Sequence, residues 1–171
     1  MLTGMMRIFL IGFMGCGKST KARQLAKLLN CPVIDIDAVI VEQTGMSIAD
    51  YFALHGEESF RRLEGETLKN YPYPSICVIA TGGGLPCFFD HMDWMNANGR
   101  TVYLQMTPSQ LVSRLHNREK RPLIKGMDDV QLLEFIKMKL AEREPFYMQA
   151  QFIAAAFDLE AAVLLSRIRS I

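Results

Sequence analysis

The chain has no surplus of either charge. Nineteen Lys and Arg stand against eighteen Asp and Glu over 171 residues. Such a balance argues against a general binder of nucleic acid or of membrane surfaces, while leaving room for a local basic pocket. Cysteine is scarce and unpatterned. Cys16, Cys31, Cys77 and Cys87 form no C-x-x-C pair, and no histidine follows them at a zinc-finger interval. Reduced structural cysteines of a cytosolic protein are the expectation. His55, His91 and His116 lack metal-ligand spacing and are expected to be structural or surface residues. Long apolar runs are missing too. Ile8 to Met14 follows Arg7 like a short signal core, but it leads straight into Gly15-Cys16-Gly17-Lys18 without a small-residue cleavage site. No segment has the length of a membrane span, so a cytoplasmic protein is expected. Internal repeats, low-complexity tracts and linkers are also lacking, and 1–171 reads as one domain.

What is present alternates. Arg7 to Ile11, Val33 to Ile36, Ile76 to Ala80, Thr101 to Leu104 and Phe152 to Ala155 read as short strands. Between them lie helical patterns. Ala22, Leu25, Ala26 and Leu29 share one face of a helix stopped by Pro32. Ile48 to Lys69 is helical with a break near Gly56, Phe88 to Ala97 is a further helix, and Pro108 sits at a helix start. Val130 to Tyr147 and Ala161 to Ile168 complete the set, with Pro145 expected to end the first of these two. Short apolar strands alternating with helices predict an α/β fold, a parallel sheet covered on both faces.

One motif is complete. Gly12-Phe-Met-Gly15-Cys16-Gly17-Lys18-Ser19 matches G-x-x-x-x-G-K-[ST] between a strand and an amphipathic helix. The glycines let backbone N–H groups turn toward phosphate, and the helix N-terminus adds partial positive charge. Lys18 suits the β and γ phosphates, and the Ser19 hydroxyl suits Mg²⁺. A guanine-reading N-K-x-D segment is absent, and 171 residues leave little room for a motor. A small-molecule kinase then needs carboxylates, cations for an anionic acceptor, and a mobile cationic lid.

The chain has a candidate for each need. Asp35 and Asp37 close the second strand, where alternation puts both carboxylates on one side of the chain. One could hold the metal's water shell while the other accepts a hydroxyl proton, or Asp37 could simply cap a helix. Thr81-Gly82-Gly83-Gly84 permits close approach to a ligand, or forms a flexible turn. Arg61 and Arg62 are a carboxylate clamp or a solvated face. Arg114 to Lys125 carries five cations against one Glu119 and reads as a lid or a basic loop.

In order and at compatible spacing, these segments resemble the shikimate kinases, within the group similar to nucleoside-monophosphate kinases. Ile11 to Thr20 resembles that family's P-loop; Asp35-Ile-Asp37, Phe60-Arg61-Arg62-Leu63-Glu64, Thr81 to Gly84, Arg121-Pro122-Leu123 and Arg143 to Tyr147 resemble its other motifs. The resemblance implies a five-stranded parallel sheet of order 2-3-1-4-5 in a three-layer α/β/α domain. Within it, an acceptor-binding segment would span about 37–70 and a mobile lid about 114–126. It implies transfer of a phosphoryl group from ATP, with Mg²⁺, to the 3-hydroxyl of shikimate, a step toward chorismate and the aromatic amino acids. ATP would contact Gly12, Gly15, Cys16, Gly17, Lys18, Ser19, Thr20, Arg114 near the adenine and Arg121 from the lid. Lys18, Asp37 and Arg121 would be catalytic; Asp37, Arg61, Gly82, Gly83, Gly84 and Arg143 would hold shikimate; Ser19 and Asp35 would serve Mg²⁺. A monomer acting on a small molecule, without nucleic acid or membrane, is the expectation. A gluconate-kinase-like enzyme and a non-catalytic regulator binding ATP or shikimate are the alternatives.

Overall fold

A computed structural model describes residues 4–117 and 122–170. Its centre is β1 (Met6–Ile11), whose Ile8, Phe9, Leu10 and Ile11 are fully buried. A strand covered on both faces loses the polar alternation of a half-exposed one, and this is why it reads as a continuous apolar run. β3 (Ile76–Ala80) pairs with it on one side, Met6 opposite Ile76. β4 (Arg100–Gln105) pairs on the other, Ile8 opposite Arg100. The edges are β2 (Val33–Asp35), against β3, and β5 (Phe152–Ala155), against β4. All four pairings are parallel and the order is β2-β3-β1-β4-β5, as the resemblance implied.

The helices follow from this order. α1 (Lys18–Leu29) carries the chain from β1 to β2, while α4 (His91–Asn98) carries it back from β3 to β4. Right-handed crossovers in opposite directions place these two on opposite faces of the sheet. α7 (Ala161–Arg169) packs beside α1. α2 (Ile36–Thr44) and α3 (Ile48–Asn70) pack on each other beyond β2. α5 (Pro108–Arg114) and α6 (Asp129–Tyr147) pair after β4. The chain reverses its direction of winding at β1, and in such sheets ligands bind outside the carboxyl ends of the strands at that point.

Four local expectations change. β2 stops at Asp35, whose side chain accepts from the backbone N–H groups of Asp37 at 3.1 Å and Ala38 at 3.4 Å. Asp35 is therefore the helix cap, and Asp37 stands in the first turn of α2 rather than on a strand. α1 ends before Pro32, at Asn30 in the left-handed region (φ 50°). Pro145 does not stop α6, which continues to Tyr147 at the cost of one bond of the ladder, that to the Ala141 carbonyl. The helix expected from Phe88 begins at His91, after a 3₁₀ turn over Leu85–Cys87 and a left-handed Phe89 (φ 49°). The break at Gly56 is found where expected, at φ 78° and ψ 169°.

Candidate active site

The site begins where β1 runs out. Gly17 sits at the N-cap of α1 with φ 93° and ψ 20°, a conformation that glycine adopts without strain. No side chain caps α1, so its first N–H groups point outward with the helix dipole behind them. The Lys18 ammonium folds across the loop and donates to the carbonyls of Gly12 at 2.7 Å and Phe13 at 3.0 Å. Ser19 Oγ donates to Asp35 Oδ2 at 3.4 Å, while Asp35 Oδ1 caps α2. One aspartate thus ties the end of β2 to the start of α1.

These groups line a cavity of about 350 Å³, together with Gly15, Thr20, Asp37, Gly82, Gly83 and Arg114. Arg114 stands over the loop, with Nη2 3.1 Å from where a Cβ on Gly17 would lie. Gly12 and Cys16 do not line the cavity. A Cβ on Gly12 would lie 2.9 Å from the Leu104 carbonyl, and Cys16 is buried beneath the loop. Arg121 lies outside the described residues, as do three others of the expected lid, 118–120.

A second cavity, of about 220 Å³, adjoins the first and shares Met14, Asp37, Gly82 and Gly83 with it. Two arginines face it. Arg61 Nη1 donates to Glu64 Oε2 at 2.8 Å and Nη2 to Glu57 Oε1 at 3.2 Å. Its guanidinium carbon is 4.4 Å from the centroid of the Phe88 ring. Arg62, one residue on, points to water and pairs with exposed Glu58, so the solvated-face reading fits Arg62 alone. Arg143 arrives from α6 with its guanidinium carbon 5.5 Å from the Phe13 ring centroid. Gly84 backs the Arg61 guanidinium: a Cβ there would stand 2.7 Å from both Nη atoms. The Tyr147 hydroxyl donates to the Gly83 carbonyl and steadies the glycine turn from behind.

The carboxylates are set apart electrostatically. Burial raises the pKa of Asp37, with the neighbouring Asp35 adding to it, against the pull of Lys18 and Arg61. Glu64, 1% exposed, is pushed up by burial to about 7 despite its ion pair with Arg61. Both converge on Gly82, where a Cβ would lie 2.9 Å from Asp37 Oδ1 and 3.0 Å from Glu64 Oε1. Glu64 and Tyr147 received no role from the sequence. The signals for Glu64 were its place in the Phe60 to Glu64 motif and its position three residues after Arg61, within helical side-chain reach.

Ser19 Oγ beside Asp35 Oδ2 is a pair of hard oxygens. Among the described residues no cluster of three or more His, Cys, Asp or Glu side chains could hold a metal. Such a pair fits Mg²⁺, which keeps several waters and binds through one or two protein oxygens plus substrate phosphates. It does not fit a closed zinc site. No helix of the described residues is long and apolar enough to cross a membrane.

Comparison with known proteins gives one consistent result. A family model described as shikimate kinase matches residues 14–169. The shikimate kinase of Bacteroides fragilis is 45% identical over 157 residues, covering 91% of this chain and 88% of its own. The crystal structure of the shikimate kinase from Bacteroides thetaiotaomicron superposes with a TM-score of 0.87 at 40% identity, covering 96% of this chain and 95% of that one. That of Acinetobacter baumannii, in complex with shikimate, superposes with a TM-score of 0.80 at 30% identity, over 95% and 89% of the two chains.

Proposed function

The chain belongs to the shikimate kinase family, and from that premise we propose that it transfers the γ-phosphoryl group of ATP to the 3-hydroxyl of shikimate. The products are shikimate 3-phosphate and ADP, on the route to chorismate and the aromatic amino acids. The observation that carries this reading is the pair of adjoining cavities. The phosphate loop lines one, two arginines line the other, and Asp37 lines both.

The division of labour follows from the side chains. Arg61 and Arg143 bind the acceptor carboxylate, the only charge on a molecule otherwise made of hydroxyls. Asp37 hydrogen-bonds the acceptor and takes the proton of its 3-hydroxyl. Burial brings its basicity nearer neutrality, where a general base works best. The acceptor oxygen forms a bond to the γ phosphorus as the bond to the bridging oxygen breaks, and ADP leaves with that electron pair. Lys18 and the N–H groups at the start of α1 neutralise the charge on the transferred group. Mg²⁺, when bound, supplies further positive charge to the phosphates, and Ser19 Oγ with Asp35 through water would hold it. Arg121 is assigned to the phosphates on the resemblance of its motif alone.

Residues 37–70 form the acceptor-binding segment in this reading, and 114–126 the lid. The working unit is a monomer, since one chain lines both cavities. A cytoplasmic setting accords with four free cysteines.

ADP release from Mg-ATP, coupled to NADH loss, tests the proposal. Shikimate is the acceptor, with gluconate and nucleoside monophosphates in parallel. Turnover with shikimate alone is expected. Turnover only with a control would keep the phosphate loop and discard the acceptor. ATP binding with no turnover on any acceptor would favour a regulator.

A further inference from the structure

The phosphate cavity has two ends. At one end Asp37, Gly82 and Gly83 open to the acceptor cavity. At the other stand Gly17, Thr20 and Arg114. A donor whose transferred phosphate faces Asp37 must send its nucleoside toward Arg114. The residue that organises this second end is one that neither the motif nor the mechanism uses.

Lys21 closes the first turn of α1, its N–H bonding the Gly17 carbonyl at 2.9 Å. Its side chain leaves the helix on the Arg114 side, and Nζ donates to the backbone carbonyl of Leu159. Leu159 belongs to the irregular link between β5 and α7, which runs through a left-handed Asp158 (φ 58°) and exposed Phe157. Glu160, next in the chain, attracts the Lys21 ammonium, and Arg114 repels it. The phosphate helix and the β5–α7 link therefore meet at this ammonium, and Arg114 at the end of α5 is near enough to repel it. Elsewhere the link is held by packing, Ala156 within the core and Leu159 against it. Its Ala156 N–H bonds the Gln105 carbonyl, and α7 begins at Glu160 without a side-chain cap.

We propose that Lys21 is a positioning residue for the donor, tying the β5–α7 link to the phosphate helix so that link and Arg114 together form the wall for the nucleoside end. The inference rests on the nucleotide reading of the phosphate loop. Lys21 touches no phosphate in this arrangement, because its ammonium is directed to the Leu159 carbonyl. It acts on the nucleoside by holding the surface against which that part packs.

The test compares Lys21→Met and Lys21→Arg with the unaltered protein. ADP binding is measured by calorimetry, and inhibition by magnesium tripolyphosphate probes the phosphate end without a nucleoside. In Lys21→Met the ATP KM and the ADP Kd should each rise about fivefold, the worth of one ordinary hydrogen bond, since Lys21 acts on the donor only through the link. The kcat should stay within about twofold, with the shikimate KM and tripolyphosphate inhibition unchanged. Lys21→Arg should restore ADP affinity. A lowered melting temperature with unaltered ADP affinity would overturn the proposal, leaving Lys21 a mere staple for α7. Equal weakening of ADP and tripolyphosphate would overturn it also, by making Lys21 a direct phosphate ligand. Failure of the unaltered protein to bind ADP would instead bring down the nucleotide reading itself.

Discussion

Arg61→Ala removes one arm of the proposed acceptor clamp, and the structure sets the size of the effect. The guanidinium is 11% exposed, lies over Phe88 and is held by Glu64 and Glu57, so little reorganisation precedes binding. A hydrogen bond between charged groups in such a place contributes about 2 kcal/mol, and Arg143 remains to hold the same carboxylate. The shikimate KM should therefore rise about 30-fold. The ATP KM should not move, and kcat should fall less than about tenfold, because Lys18, Ser19 and Asp35 are untouched. The variant should also fold. Glu64 loses its cation, but its pKa already stands at about 7, so near neutral pH it takes up a proton instead of remaining a bare buried charge. That response limits the added destabilisation to about 1 kcal/mol. The assay is initial-rate ADP release with shikimate varied at saturating Mg-ATP, with thermal unfolding as the folding control. A shikimate KM within twofold of the unaltered value, in a folded variant, would refute the clamp and leave Arg61 as the counter-ion of Glu64 only.

Lys18→Ala should lower kcat by about 10² to 10³, the loss typical of one preorganised donor at a developing charge, with the shikimate KM little changed in the same assay. The raised pKa of Glu64 makes stability depend on pH. The folded state holds that proton more tightly than the unfolded chain, so the contribution is complete below about 4.5 and is lost as pH rises to about 7. Melting temperatures across that window should fall by an amount on the order of 3 kcal/mol in stability, and Glu64→Gln should flatten this part of the profile. Gly84→Ala places a methyl 2.7 Å from both Nη atoms of an arginine already fixed by two carboxylates. The shikimate KM should rise about tenfold at constant ATP KM.

The layered fold was legible because its strands are buried on both faces, which turns β1 and β3 into plain apolar runs separated by helical periods. The phosphate loop was legible because its residues are contiguous. What escaped were features decided by packing between distant segments. Asp37 was assigned to a strand by alternation, but Asp35 caps α2 and ends β2 after three residues. Cys16 belongs to the loop motif yet turns into the core, a direction that spacing does not encode. Glu64 was read only as the last residue of the Phe60 to Glu64 motif, with no role of its own. Its burial depends on the glycine turn after β3, eighteen positions further along the chain at Gly82. α6 runs to Tyr147 as its apolar pattern predicted, past the Pro145 that was expected to end it.

Every strand pairing in the sheet is parallel, so no two neighbouring strands are joined by a hairpin. Met6 finds Ile76 and Ile8 finds Arg100 only after long stretches of chain have been drawn in, which raises the contact order above that of a helical bundle and slows folding accordingly. The carboxyl ends of β1, β2 and β3, which carry Lys18, Asp35 and Gly82, come together only through those same long-range pairings. A partly folded chain therefore has no partial site, and recovery of turnover after dilution from denaturant should follow the appearance of the complete sheet rather than of its helices.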